Sequence, residues 1–506
     1  MSGVGQASAV TLLGLDGEAV QVEVDIVSGL PKVFITGMPD AAVRQAQHRT
    51  WSALRHSGFS PPDTRVIINL TPANLPKAGS HFDLPIGIAI LRAMGVVPTD
   101  AHPTVVLGEL GLDGRLRPCR GVLPMVRAAR ANGAVRAIVP TSNETEASLV
   151  DGIRVTGVPS LAHAAAALGA DVDPVPVEAI SSEEEARQVS EPLDMADVIG
   201  NQAALAAIEV AAAGGHHMLM VGPPGAGKTM LAARMPGLLP ELDVEAALDV
   251  AAVRSLSGEA VISELERTPP FVAPHHSATA VSLIGGGSGG TIRPGAAARA
   301  CHGVLFLDEA PEFPRSVLDQ LRQPLESGVL QIHRAVGQAE FPAQFQLVLA
   351  ANPCPCGRLG FGECSCTSRQ RLGYFSRLSG PLLDRIDLQV RIERLTSAAR
   401  VLSDRAHSSA EIRSRVIEAR ARAAHRLRET PWTLMGRVAG SWLRKHQPLP
   451  GEATAAIDEA LRRGLITMRG YDRVLRVAFT MSDIAGIPQP TRAEIGAAHA
   501  IRRVTP

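Results

Sequence analysis

GPPGAGKT (222–229), set between the apolar run HMLMV (217–221) and a helix-compatible stretch, decides the reading of this chain. It fits the pattern G-x-x-x-x-G-K-[ST] of a phosphate loop, and the strand before it and the helix after it are the context that pattern needs. Glycines at 222, 225 and 227 let the backbone turn so that successive N–H groups point at phosphate oxygens, while the helix N-terminus adds a favourable dipole. Gly222, Pro223, Pro224, Gly225, Ala226, Gly227, Lys228 and Thr229 are therefore the candidate nucleotide cradle. Lys228 would reach the β- and γ-phosphates, and Thr229 would ligate Mg²⁺.

Working outward, GVLFLDEA (303–310) is an apolar strand ending in two carboxylates. Asp308 at the strand end is placed to hold the Mg²⁺ shell, and Glu309 to orient or deprotonate an attacking water. A third apolar run, FQLVLAAN, ends at Asn352, where a polar contact to the γ-phosphate would lie. In SGPLLDRIDLQV, Arg385 precedes a further strand. Its planar charge suits stabilisation of a transferring phosphoryl group, and a structural salt bridge with Asp384 or Asp387 is the alternative.

The 506 residues are enough for two to four domains. With 45% hydrophobic and 20% charged residues the composition is that of a globular protein, not a disordered one. Aromatics make up 3%, so contact with a nucleic acid would rely on charge and main-chain amides more than on base stacking. Net charge is formally zero, but its placement is uneven. Residues 171–194 carry eight acids against one base, and residues 401–506 carry eighteen Arg or Lys against ten acids. No window approaches the roughly 18 apolar residues of a membrane span, and the N-terminus lacks a leader pattern, so a cytoplasmic location and no membrane partner are expected.

Residues 1–170 alternate β-rich runs (AVTLLGL, VQVEVDIV, RVIINL, TVVLG, AIVP) with helical patterns near Ala41–His56, after Asp83 and near 121–131, which reads as an α/β domain. Residues 171–192 are acidic and Pro-interrupted, as a linker would be. A second α/β region spans 193–395, and 396–506 shows Arg-rich helical patterns without a convincing strand, as in a helical lid. Of six cysteines, Cys354, Cys356, Cys364 and Cys366 fall within thirteen residues. They suit a tetrahedral Zn²⁺ site or stand as free thiols, since C-x-C is tighter than the commoner C-x-x-C. His216, His217 and His302 lack ligand spacing and read as packing or loop residues.

The order GPPGAGKT, GVLFLDEAPEFPRSVLDQLRQPLE, ANPCPCG and LSGPLLDRIDLQV resembles the magnesium-chelatase-like YifB/ComM family of AAA+ proteins, and the likeness extends over essentially the whole chain. It implies an N-terminal Lon-protease-like α/β domain of ribosomal-protein type, a central AAA+ ATPase domain and a C-terminal helical lid. It implies further a hexameric ring with ATP sites between subunits, Arg385 as a finger acting in trans, and Arg469 in TMRGYDRVLRVA as the sensor-2 arginine in preference to Arg473. Residues 197–202 would lie near the adenine. Lon peptidase chemistry needs a Ser after a PKxG segment and a later Lys base. PKAGSHFDLP instead offers Ser80 early, with His81 and Phe82 around the expected place, and RLRPCRGVLPMVRAA has no lysine, so a non-proteolytic scaffold is expected.

The resemblance also makes 275–295, with His275, His276 and Arg293, a helix-2 insert, and 325–345, with His333 and Arg334, a hairpin of two strands. Both would project into a ring pore, where amides and cations could track a DNA backbone; the alternative is that they pad a subunit interface. The function implied is an ATP-driven motor that branch-migrates recombination intermediates. The runner-up is a chelatase-type remodeller of a protein partner, and an ATP-dependent protease is disfavoured by the missing dyad.

Overall fold

A computed structural model describes residues 3–180, 193–259, 264–287, 292–334, 337–360, 362–394 and 407–501. The phosphate-loop region is built on five parallel strands in the order Phe271–Val272, Val304–Leu307, Gln346–Ala351, Met218–Val221, Leu388–Arg391. Each apolar run read from the sequence is one of these strands, and three of the four are buried at every position. That is the signature of parallel strands covered on both faces. The edge strand Phe271–Val272 gives no sequence signal, being two residues long and half-exposed.

One face of the sheet, through Met218, Met220, Phe306, Val348 and Leu388, packs on the helix Gln202–Gly214 and on the C-terminal helices in a single core with Val416, Ala419, Val474, Val477 and Phe479. The other face, through Leu219, Leu305, Leu307 and Leu347, covers Val253, Ala297, Phe313 and Phe341. The C-terminal region is helical as expected, comprising Ser409–Leu427, Gly440–His446, Gly451–Arg462, Met468–Ala485 and Arg492–Ala500. A capping box, Ser408 with Glu411, starts the first of these helices. The lid therefore shares its core with the ATPase sheet.

The N-terminal region is a seven-stranded mixed sheet in the order Lys32–Thr36, Arg65–Thr71, Asp16–Val27, Gly5–Leu13, Thr104–Val106, Arg136–Pro140, Arg154–Val158. The outermost two, Lys32–Thr36 and Arg154–Val158, are additional to the strands expected. Helices Ala41–His56, Asp83–Ala93 and Val122–Ala131 lie where the apolar periodicity puts them. Residues 171–180 are irregular; the rest of the expected linker, 181–192, lies outside the described residues. Helix Val122–Ala131 packs on helix Val244–Ser257 through Val122, Val126, Ala251 and Ala252. Arg127 there pairs with Glu245 at 2.7 Å and Asp249 at 2.8 Å.

Candidate nucleotide site

Parallel strands deliver their C-terminal ends to one edge of the sheet, and the candidate residues gather there. Val221 pairs with Ala351, so Gly222 and Asn352 emerge side by side. Gly222 N donates to Ala351 O at 3.1 Å, and a Cβ on Gly222 would stand 2.5 Å from Ile392 O, so only glycine fits between the two neighbouring strands. Gly225 and Gly227 hold φ of +75° and +89°, the left-handed region that turns the loop into helix Lys228–Arg234.

The Lys228 ammonium donates to Gly222 O at 2.7 Å, Pro223 O at 3.0 Å and Asn352 Oδ1 at 3.1 Å, so its three protons meet three acceptors. Burial lowers its pKa below the ordinary lysine value, against the opposing pull of Asp308 and Glu309. Thr229 Oγ1 donates to Asp308 Oδ2 at 2.7 Å. Two oxygens this close suit neighbouring positions of an octahedral Mg²⁺ shell, whose ligand distances of about 2.1 Å put adjacent oxygens about 3 Å apart. The donor set is all oxygen, as that cation prefers.

Glu309 sits at φ +50°, outside the strand, with its carboxylate half-exposed. His276 Nδ1 stands 3.5 Å from Glu309 Oε2 and its ring lies 4.0 Å from that of His275. Sequence position groups His276 with the Gly-rich insert and the pore. Its side chain stands by Glu309 because it follows the edge strand Phe271–Val272, which runs parallel beside Val304–Leu307, the strand that leads into Asp308 and Glu309. Tyr374 is a further neighbour that the sequence does not announce; its hydroxyl accepts from Asn352 N at 3.4 Å. Asp197 pairs with Arg234 at 2.9 Å, and Asn201 exchanges hydrogen bonds with the backbone of Glu393, so 197–202 lies against the helix that follows the loop and the end of the last strand.

Arg385 is not at this edge. It precedes Leu388–Arg391, which runs parallel to Met218–Val221, so it lies at the opposite end of the sheet from the phosphate loop. Its partners are Pro381 O at 2.5 Å and Glu326, not the aspartates beside it in sequence. Arg469 is exposed and stands 3.6 Å from Asp384. Arg473 is buried, 3.8 Å from Asp384 and 3.9 Å from Asp387. Arg385, Arg469 and Arg473 line one cleft of about 1000 Å³ between sheet and lid, together with Arg420, Arg437 and Arg476.

His216 is buried and His217 and His302 half-buried, and each has a partner within the fold. His216 Nδ1 meets Asp387 Oδ2 at 3.0 Å and Nε2 meets Thr480 Oγ1 at 2.8 Å. His217 Nδ1 accepts from Leu347 N at 3.0 Å. His302 Nε2 lies 3.4 Å from Asp249. In the N-terminal region Ser80 Oγ is hydrogen-bonded to Glu109, and His81 is buried against Val10 O at 2.9 Å.

The expected insert contains helix Ala280–Ile284 and a small ladder, Gly285–Gly286 with Arg293–Pro294. Of residues 325–345, the first three end the helix Arg322–Ser327, and Val329–Arg334 pairs with Gly337–Pro342 as the expected antiparallel hairpin, with His333 exposed. The Arg334 side chain lies outside the described residues. The four clustered cysteines bring their sulfurs within 4.8 Å of one another.

A parallel sheet of this order, with a phosphate loop, an acidic pair and a polar strand end on one edge, defines a P-loop ATPase of the AAA+ type. Family comparison agrees. Residues 194–400 match the family model for magnesium chelatase, subunit ChlI; residues 22–143 match that for subunit ChlI of Mg-chelatase; and 406–502 match its C-terminal model. The chain is 37% identical to competence protein ComM of Haemophilus influenzae over 493 residues, covering 95% of this chain and 94% of that one. It is 38% identical to YifB of Escherichia coli over 479 residues, covering 93% and 92%. An uncharacterized protein of Mycobacterium tuberculosis is 45% identical over 506 residues, covering 99% of each. Lon protease 2 of Bacillus subtilis is 27% identical over 160 residues, 28% of each chain. The chain belongs to the YifB/ComM family of magnesium-chelatase-like AAA+ ATPases.

Proposed function

We propose that this chain is the protomer of a hexameric, ATP-hydrolysing ring that works on DNA as a branch-migration motor, with residues 1–170 as a non-proteolytic scaffold, 193–395 as the ATPase core and 396–506 as the lid. The reading rests on one observation above all: Lys228, Thr229, Asp308, Glu309 and Asn352 converge on one sheet edge while Arg385 lies at the other. Each protomer then holds most of one site and the finger of another, which only assembly can unite.

In that reading the loop amides of 222–229 and Lys228 bind the triphosphate, with Lys228 exchanging its carbonyl partners for β- and γ-oxygens. Thr229 and Asp308 hold Mg²⁺, which neutralises phosphate charge. Glu309, placed beside that shell, accepts a proton from the attacking water, and Asn352 orients the γ-phosphate. Arg385 and Arg469 serve the phosphates of a neighbouring protomer. Zn²⁺, where bound, belongs to the cysteine cluster and not to the nucleotide.

DNA as the polymer is supported by 37% identity to a competence protein over most of both chains, and by the exposed hairpin with His333. The three magnesium-chelatase family matches favour the second reading, a chelatase-type remodeller of a protein partner. Expected for the motor is ATPase turnover stimulated by branched or single-stranded DNA, with ATP-dependent strand migration that Lys228→Ala and Glu309→Gln abolish. Turnover indifferent to every DNA structure would refute it in favour of the remodeller.

A further inference from the structure

The loop that follows Asn352 has little regular structure to hold it. Between strand Gln346–Ala351 and helix Ser368–Phe375 its described residues form neither helix nor strand, and most of 355–367 is exposed or half-buried. A loop of this length without a core of its own needs another source of order. Four thiols supply the means.

Cys354 is buried, and Cys356, Cys364 and Cys366 are half-buried. Sulfur separations are 3.3 Å for Cys354 to Cys356, 3.7 Å for Cys354 to Cys364 and 3.6 Å for Cys356 to Cys364, and all four lie within 4.8 Å of one another. All are free, far beyond the roughly 2.05 Å of a disulfide. Around a tetrahedral Zn²⁺ with Zn–S bonds of about 2.3 Å, sulfurs stand about 3.8 Å apart, close to what these residues adopt. Sulfurs so near leave room for one ion, not for an iron–sulfur cluster. Leu359 N donates to Cys354 Sγ at 3.4 Å, the backbone N–H to sulfur contact that supports a thiolate ligand.

The cluster also touches the phosphate loop. Gly357, next to Cys356 and at φ +74°, is buried, and a Cβ there would stand 2.6 Å from Pro224 Cδ. Backbone of the cysteine loop therefore rests directly on residue 224 of the nucleotide cradle. On the chain's other side Asn352, two residues before Cys354, accepts from Lys228. One short segment thus meets the phosphate loop twice, and the thiols sit between and beyond the two contacts.

We propose that Cys354, Cys356, Cys364 and Cys366 bind one Zn²⁺ as thiolates, releasing their protons, and that this clamp seats Gly357 on Pro224 and fixes Asn352, so that nucleotide affinity depends on the zinc. The second half rests on the ATPase reading above; the first does not. The test uses the full chain purified without added metal. Elemental analysis is expected to find one zinc per chain, lost in the Cys364→Ser/Cys366→Ser variant, and Co²⁺ in its place should give thiolate charge-transfer and tetrahedral absorption bands. Stripping the metal with a chelator should weaken ATP binding by calorimetry about tenfold or more, with recovery on adding Zn²⁺. Gly357→Val, which keeps every thiol, should keep its zinc and still bind ATP more weakly. A folded chain that takes up neither Zn²⁺ nor Co²⁺ overturns the site. Zinc present but ATP affinity unchanged by its removal overturns the clamp, and zinc present with no ATP bound at all overturns the clamp together with the ATPase reading while leaving the metal site standing.

Discussion

Arg385→Ala and Lys228→Ala should each abolish ATP turnover alone, yet restore part of it when the two variants are mixed. Leu388–Arg391 pairs in parallel register with Met218–Val221, Leu388 opposite Met218 and Arg391 opposite Val221. The phosphate loop leaves the C-terminal end of that pair, while Arg385 precedes its N-terminal end. Four strand residues at about 3.3 Å each separate them by about 13 Å, before the turn that leads from Arg385 into the strand is counted. The guanidinium is moreover held at its own end by Pro381 O and Glu326. It cannot serve the loop of its own chain. An arginine finger contributes about 10³- to 10⁵-fold in rate, about 4 to 7 kcal/mol of barrier. In an equimolar mixture about one quarter of the interfaces would join an intact loop, from the Arg385→Ala chain, to an intact arginine, from the Lys228→Ala chain. A coupled ATPase assay on single variants and on co-refolded mixtures reads this directly. Recovery to about a quarter of wild-type turnover is expected; a mixture as dead as its components, with rings of normal size, would refute the assignment in trans, and an Arg385→Ala variant of normal turnover would refute the finger itself.

Two further outcomes follow from neighbouring residues. Arg469→Ala should complement Lys228→Ala in the same mixing assay, because Arg469 shares the Asp384 side of the cleft; failure there combined with success for Arg385 would place Arg469 outside the catalytic interface. Burial holds the His217 imidazole's pKa down to about 4, and its Nδ1 is committed as an acceptor from Leu347 N. The unfolded chain then binds the proton that the native state refuses, so stability is lost as pH falls from about 6.5 toward 4. That is about 2 kcal/mol between pH 7 and pH 5 by urea unfolding, and His217→Gln should flatten the dependence; an equally steep curve in that variant would refute it.

Much of this site is legible in the chain because its parts are local. The phosphate loop, the Asp308–Glu309 pair and Asn352 each terminate an apolar run, and a fully buried parallel strand reads as such a run. Strands that escape are those at sheet edges, Lys32–Thr36, Phe271–Val272 and Arg154–Val158, where short length and partial exposure erase both the alternation and the apolar block. Contacts made across the fold leave no such trace. Glu326 lies 59 residues from Arg385, so the sequence offers only the adjacent aspartates as partners. His276 reaches Glu309 because the strands that lead to them are parallel neighbours, a fact of sheet order that spacing along the chain does not encode. Gly357 against Pro224 is of the same kind.

Strand order also bears on how nucleotide state could be felt elsewhere. A lid with a core of its own could hinge over the site, but here the helices of 409–501 complete the core of the sheet's face, over Met218, Met220 and Val348. They are pinned by polar contacts as well: His216 joins Asp387 to Thr480, Gln389 N donates to Ile501 O at 3.1 Å, and Arg415 donates to both carboxylate oxygens of Glu209, on helix Gln202–Gly214, at 2.6 and 2.8 Å. Swinging the lid away would uncover apolar surface at about 25 cal/mol per Å² and leave the buried His216 without its Thr480 partner, a loss of about 1 to 3 kcal/mol for that unsatisfied group alone. Nucleotide-driven motion is therefore cheaper as displacement of the whole sheet-and-lid unit, or in the loops on the phosphate edge, than as a lid closure. Because Arg469 and Arg473 ride on that sheet-and-lid unit beside Asp384, any such displacement carries Arg385 with them, so in the proposed ring the loop edge of one protomer and the arginine face of the next would approach or part as whole surfaces.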